Sequence, residues 1–207
     1  MKLSKETLTI LQNFCNINPS IMFIPGNVIK TVTEGDNLFA SATVAEEFPV
    51  EAPIYDLGRL LGLISLNKEN TELHFGEKNL EIVQGRSKIT YAYAQPQFVK
   101  IPPTGTPKVK NLLVDFELKN EEFTTLIKAM NILGFNEIGV IGEDGELSIQ
   151  TLSSEVRNDS SDNYKTIIGE CDKDFEIVFN AELFRFLPKD YYVQIDERFA
   201  HFKSPKP

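Results

Sequence analysis

Tryptophan is absent from this 207-residue chain, cysteine and histidine occur twice each, and no apolar run approaches the ~20 residues that a bilayer-spanning helix needs. Aromatic packing therefore falls to 15 Phe and 6 Tyr. Cys15, in a helix-like segment, and Cys171, beside Asp172 and Asp174, are far apart and lack metal-ligand or redox spacing, so they read as two unpaired thiols. The N-terminus, MKLSKETLTI, has no long apolar region and no small-residue cleavage site. It does not read as a signal peptide, and the expected location is a cytoplasm with no membrane partner. Basic residues are also short: 21 Lys and Arg stand against 30 Asp and Glu, a net charge of −9, which on its face argues against a phosphate-bearing partner.

What is present is a repeat. An amphipathic segment at 4–17 leads through strand-like runs to a short helical signal after Asp56, and the same order returns from Lys119 to a short helical signal after Asn180. Leu8 falls on Phe123 and Leu11 on Leu126, each 115 residues on; Ile54, Tyr55 and Asp56 fall on Val178, Phe179 and Asn180, each 124 residues on. The repeat absorbs about nine extra residues, placed most simply in the polar stretch 157–163. A tandem repeat of supersecondary units predicts two similar domains, and 42% hydrophobic residues are enough to give each half a core.

Between the helical signals the chain reads as hairpins. Residues 28–32 and 38–44 flank the turn cluster 34–37; residues 137–141 and 146–151 flank Gly142, Glu143, Asp144 and Gly145. Runs at 71–75, 79–84, 88–94, 175–179 and 191–195 alternate apolar and polar residues. The fold class is thus α+β, each half an antiparallel sheet with two helices on one face. Pro96, Pro102, Pro103 and Pro107 suit an extended connection, giving domains at 1–100 and 114–207 joined by 101–113.

The helices predict one inward and one outward face. In the first, Leu8, Leu11, Phe14 and Cys15 form the apolar stripe and Lys5, Thr9, Gln12 and Asn16 the opposite face; in the third, Phe123, Leu126, Ile127, Met130 and Leu133 point inward and Thr124, Lys128 and Asn131 outward. The short helices contribute Arg59, and then Glu182, Arg185 and Lys189 at i, i+3, i+7. These outer faces are neutral to basic on an acidic chain.

Sites for chemistry are not found. Residues 159–170 run from Asp159 to Glu170 at the spacing of a calcium loop, with Ser161 and Asn163 at ligand positions, but Tyr164 stands where the sharp turn needs Gly. His74 and His201 lack a second ligand at metal spacing. The acidic pair Glu46 and Glu47 has no accompanying nucleophile, and Glu121 and Glu122 suit the positive end of the helix they open. GEDG bridges two strands, so it is not a phosphate loop. No enzyme, metal or cofactor is expected.

Residues 1–22, MKLSKETLTILQNFCNINPSIM, and 52–66, APIYDLGRLLGLISL, resemble the corresponding stretches of the sliding clamps of T4-like bacteriophages, the DNA polymerase processivity factors; the likeness extends more loosely through NLEIVQGRSKITY at 79–91. The resemblance implies a ring-shaped homotrimer of the DNA clamp fold, six domains placing twelve helices around a central hole. It implies double-stranded DNA held topologically without sequence preference, a replicative DNA polymerase, an ATP-dependent clamp loader and late transcription machinery as partners, in the cytoplasm of an infected bacterial host. On that reading Lys5, Gln12, Arg59, Lys128, Arg185 and Lys189 face DNA, and edge strands at 88–94 and 164–169 meet across the subunit boundary through Ile89, Tyr91, Ile167 and Ile168. Partner peptides enter an apolar pocket flanked by Phe98, Ile101, Leu112 and Leu113, with 199–202 close by. The charge balance then has a physical sense: a ring that must slide gains from few phosphate contacts, since each Lys or Arg that displaces counterions adds grip. Two other readings remain at this point, a structural ring or tail component of a virion and an enzyme with scattered site residues.

Overall fold

Ser4 opens the first helix: its hydroxyl accepts from the Thr7 backbone N–H at 3.1 Å, satisfying a donor that a helix N-terminus leaves free. Helix α1, Lys5–Ile17, is followed by β1 (Ile21–Phe23), β2 (Gly26–Val32), β3 (Phe39–Phe48), β4 (Ala52–Ile54), α2 (Leu57–Ser65), β5 (Thr71–Phe75), β6 (Asn79–Gln84) and β7 (Ser87–Ala92). These belong to the first of two compact units, Met1–Gly105 and Thr106–Pro207, into which the chain divides within its proline-bearing stretch. The computed structural model describes residues 1–67, 70–105, 109–153 and 162–205.

In the first unit β1 pairs with β4, β2 with β3, and β5, β6 and β7 form a three-stranded sheet, all antiparallel. Its core draws Ile10, Leu11, Phe14 and Ile17 from α1 and Leu57, Leu60 and Ile64 from α2, with Ile21, Phe48, Ile54, Leu80 and Ile82 from strands. Phe23 stacks on Phe48 at 4.4 Å, and Phe75 meets both edge-on. The buried stripe of α1 is rotated from the expected one: Thr7, Ile10, Leu11, Phe14 and Ile17 are buried, and Leu8 and Cys15 only half-buried. Cys15 lies on the flank that meets α2, where its sulfur faces Gly58.

The second unit contains β8 (Val114–Leu118), α3 (Asn120–Leu133), β9 (Glu137–Glu143), β10 (Glu146–Leu152), β11 (Lys165–Glu170), β12 (Phe175–Asn180), β13 (Tyr191–Ile195) and β14 (Ala200–Lys203). Two antiparallel sheets, ordered β11-β10-β9-β12 and β14-β13-β8, enclose a core of Phe116, Leu118, Leu126, Met130, Ile138, Val140, Leu147, Ile149, Val193 and Ile195. Full burial of one side chain such as Leu126 is worth about 1.5–3 kcal/mol. Gly134, at φ 71, ends α3, and the Phe135 N–H returns to the Met130 carbonyl at 3.0 Å.

The expected second helix of this unit is not formed. Among the described residues only a single 3-10 turn, Ala181–Leu183, follows Asn180, so the expected count of two helices per half falls to one α-helix here. The reason is aromatic. Phe184 and Phe186 both enter one cluster with Phe123, Tyr191 and Phe202, and residues two apart share a side only in an extended chain. Pro188 then closes off any further helix.

The internal repeat survives at its joints. Asp56 Oδ1 accepts from the Arg59 N–H and Asn180 Oδ1 from the Glu182 N–H, each at 2.8 Å, and the next residues, Leu57 and Ala181, donate to the carbonyls of Pro19 and Asn136. Equivalent strand pairs, Ile21 with Ile54 and Gly139 with Val178, show where the extra residues enter. The offset is 115 at the helices, 118 at the first strand (21 to 139) and 124 at the second pair (54 to 178). Three of the nine therefore precede the first strand and six follow it, rather than all lying in 157–163.

Candidate nucleic-acid interface

The sequence places Lys5 and Gln12 on α1, and the structure exposes both along with Thr9 and Asn16. The helix start that carries Lys5 is held from β3. Glu46 accepts from the Ser4 N–H and, through its other oxygen, from the Thr7 hydroxyl. Burial pushes the Glu46 carboxyl up, but the bonds from Thr7 and Ser4 outweigh it and hold the group below its ordinary value. A carboxylate there also suits the positive end of the helix.

Arg59 is exposed in the first turn of α2. Asp56 sets that turn by capping its own helix, and its carbonyl accepts from the Tyr91 hydroxyl at 2.9 Å. Burial, and next the Asp56 charge, raise the Tyr91 hydroxyl above its ordinary pKa. The same two causes raise the Cys15 thiol.

In the second unit Lys128 and Asn131 are exposed on α3 as expected, whereas Thr124 is half-buried. Ile132, 84% exposed, stands among them. The first turn of α3 carries Glu121 and Glu122, and Glu122 accepts from the Lys119 N–H at 3.2 Å. Arg185 and Lys189 are exposed too, but on the irregular chain after the 3-10 turn and not at helical spacing. The Arg185 Nε donates to the Glu182 carbonyl at 2.9 Å, which fixes the guanidinium stem locally.

Strand β7 lies at the edge of the first unit's three-stranded sheet and β11 at the edge of the second unit's four-stranded one. Ile89 stands opposite Ile82 and Tyr91 opposite Leu80. Both partners are fully buried, so Ile89 and Tyr91 lean over the core side of the sheet. Ile167, opposite Ser148, is 57% exposed; Ile168 falls in a bulge, skipped between the pairs Leu147–Gly169 and Ser148–Ile167, and packs against the core.

Around the connection, Phe98 and Ile101 are 61% and 58% exposed in the first unit. In the second, Leu112 is exposed and Leu113 half-buried, its N–H donating to the Ile195 carbonyl at 2.9 Å. Phe202 belongs to the aromatic cluster of the second unit, at 4.4 Å from Phe186.

Of the competing sites, His74 is exposed beside Glu72 at 3.8 Å and His201 is half-buried on β14 opposite Gln194. Asp159 and Ser161 lie outside the described residues, and among the described ones no three His, Cys, Asp or Glu side chains cluster to hold a metal. What the sequence reading missed is that Glu46 and Asp56 hold the starts of α1 and α2; Ser4 three residues before Thr7, and Asp56 three before Arg59, were the available signals.

A family profile described as DNA polymerase processivity factor matches residues 4–99. The sliding clamp of Vibrio phage KVP40 is 32% identical over 94% of this chain and 90% of its own length. That of Enterobacteria phage T4 is 28% identical over 92% and 85%. Among solved structures, the A. fulgidus PCNA bound to the C-terminal region of FEN-1 superposes with a TM-score of 0.65 at 13% identity, covering 94% of this chain and 86% of that one, a likeness of fold. By fold and by sequence, the chain belongs to the sliding-clamp family of T4-like bacteriophages, the DNA polymerase processivity factors.

Proposed function

We propose that this chain forms a closed homotrimer that encircles duplex DNA in the cytoplasm of an infected bacterium, is loaded by an ATP-dependent clamp loader, and tethers the replicative polymerase without turnover of its own. Late transcription machinery is a further partner. Residues 1–100 and 114–207 act as the two clamp domains and 101–113 as their connection.

The observation that carries this reading is the charge distribution. A chain of net charge −9 exposes Lys5, Arg59, Lys128, Arg185 and Lys189, with the neutral Gln12, on or beside its helices; the five cations are enough to offset repulsion from phosphates and too few to grip them. Residence on DNA then comes from enclosure. Subunits join by pairing β7 of one with β11 of the next, which removes two open sheet edges at once; Ile89, Tyr91, Ile167 and Ile168 flank that seam. Partner peptides dock beside the connection, on the exposed Phe98, Ile101 and Leu112 and the half-buried Leu113. Native mass spectrometry tests the assembly: a species of three chains supports it, and a monomer at micromolar concentration overturns it.

A further inference from the structure

The chain after β7 is not a free loop but a strap fastened to the first unit. A 3-10 turn, Pro96–Phe98, leads to the buried Val99. The Lys100 backbone N–H points at the Ser20 hydroxyl (3.4 Å), and its ammonium donates to Asp36 Oδ2 at 2.9 Å and to the Glu34 carbonyl at 3.2 Å. Farther on, Lys30 of β2 donates to the Thr104 carbonyl at 3.3 Å. The anchor beneath is rigid: Ser20 and Asn18 are buried, Ser20 donates twice to Asn18 Oδ1, and the Asn18 amide donates to the Val32 carbonyl at 2.8 Å. Asp36 sits at φ 55 in the turn between β2 and β3, a left-handed conformation that Asp adopts more readily than most side chains.

With Val99 and Lys100 held inward, Phe98 and Ile101 are left projecting. We propose that Lys100 is a positioning residue: by joining the strap to Asp36 and the Glu34 carbonyl it holds Phe98 and Ile101 as a preformed apolar ledge for a C-terminal peptide of the replicative polymerase. This rests on the reading that partner peptides dock beside the connection. The physical gain is preorganisation, since a ledge present in only a fraction of molecules binds more weakly by that fraction.

The test uses the full-length trimer and a fluorescent synthetic peptide copied from the C-terminus of the polymerase encoded with it, read by anisotropy, together with amide hydrogen exchange over residues 98–104. Lys100→Met should speed exchange there and weaken the peptide by up to about fivefold, the most an exposed ion pair commands. Lys100→Arg, which keeps a donor for both Asp36 and the Glu34 carbonyl, should retain both properties. Ile101→Asp serves as the control for the docking reading. If Ile101→Asp abolishes binding while Lys100→Met leaves exchange or affinity unchanged, the positioning role is wrong and the docking reading stands. If Ile101→Asp binds as the parent does, the ledge is not the site and both fall.

Discussion

The Tyr91 hydroxyl donates to the Asp56 carbonyl at 2.9 Å, so the edge strand β7 is tied to the residue that caps α2. Tyr91→Phe removes that one bond and keeps the ring over Leu80. It should cost about 0.5–1 kcal/mol in urea unfolding and leave the native mass unchanged. Tyr91→Asp places a charge at the proposed seam and should lower the native mass while circular dichroism stays that of a folded chain. An intact trimer would remove Tyr91 from the boundary.

Glu46 supplies an acid-sensitive contact. Its folded pKa lies below the ordinary 4.5, so its contribution is fully present above that value and is lost as pH falls through the lower folded value. Glu46→Gln should cost about 1–2 kcal/mol at pH 7 by denaturant unfolding, and the gap from the parent should shrink steadily below pH ~4.5. A gap that stays constant on acidification would mean the carboxylate charge contributes nothing.

Two glycines of β9 should respond differently to alanine. A Cβ at Gly142 would stand 2.4 Å from the Lys173 carbonyl oxygen and 2.7 Å from the Phe175 ring, so backbone must move. Gly142→Ala should cost about 1–3 kcal/mol, as overpacking does. At Gly139 the close neighbour is the tip of Leu152, 2.8 Å away, which can rotate. Gly139→Ala should therefore cost less, and equal losses in the two melting curves would contradict the packing described.

The Cys15 thiol, raised by burial and then by the Asp56 charge, should alkylate more slowly than a model thiol at pH 8. Asp56→Asn removes the smaller cause and should quicken the reaction only modestly. A rate matching free cysteine in the parent chain would show that the flank of α1 is open.

The hairpins were legible because alternation and turn residues agree: Asp144 at φ 53 and Gly145 at φ 85 form the two-residue turn between β9 and β10. The exposed residues of α1 and α3 followed from helical period, apart from Thr124. Where the reading failed after Asn180, the contrary signals were in view, Phe184 and Phe186 two apart and Pro188 beyond. Periodicity over so short a stretch does not separate a helix from an irregular strand-like run. The contacts that hold the site were out of reach, because Tyr91–Asp56, Thr7–Glu46 and Lys100–Asp36 join residues 35, 39 and 64 apart, which only the fold brings together. The half-buried placement of Ile89 and Tyr91 opposite the buried Ile82 and Leu80 was likewise decided by strand register, a tertiary choice.

Reversing Lys5, Lys128 and Arg185 to Glu should impair loading or change the rate of sliding without altering native mass, since none of these exposed groups belongs to β7 or β11. Single-molecule diffusion on stretched duplex checks it. A triple variant that loads and slides like the parent would take these side chains off the DNA path.

Enclosure and attraction are separated most directly by retention on circular DNA. A trimer of chains carrying −9 each has −27, so mixing with open linear duplex should give weak binding, indifferent to sequence. Loaded onto a circle with clamp loader and ATP, the protein should persist through salt that strips a lysine-dependent binder, because counterion release does not open a ring. Cutting the circle once should then free it. Retention on the linearised DNA with both ends open would show ordinary affinity and contradict the account.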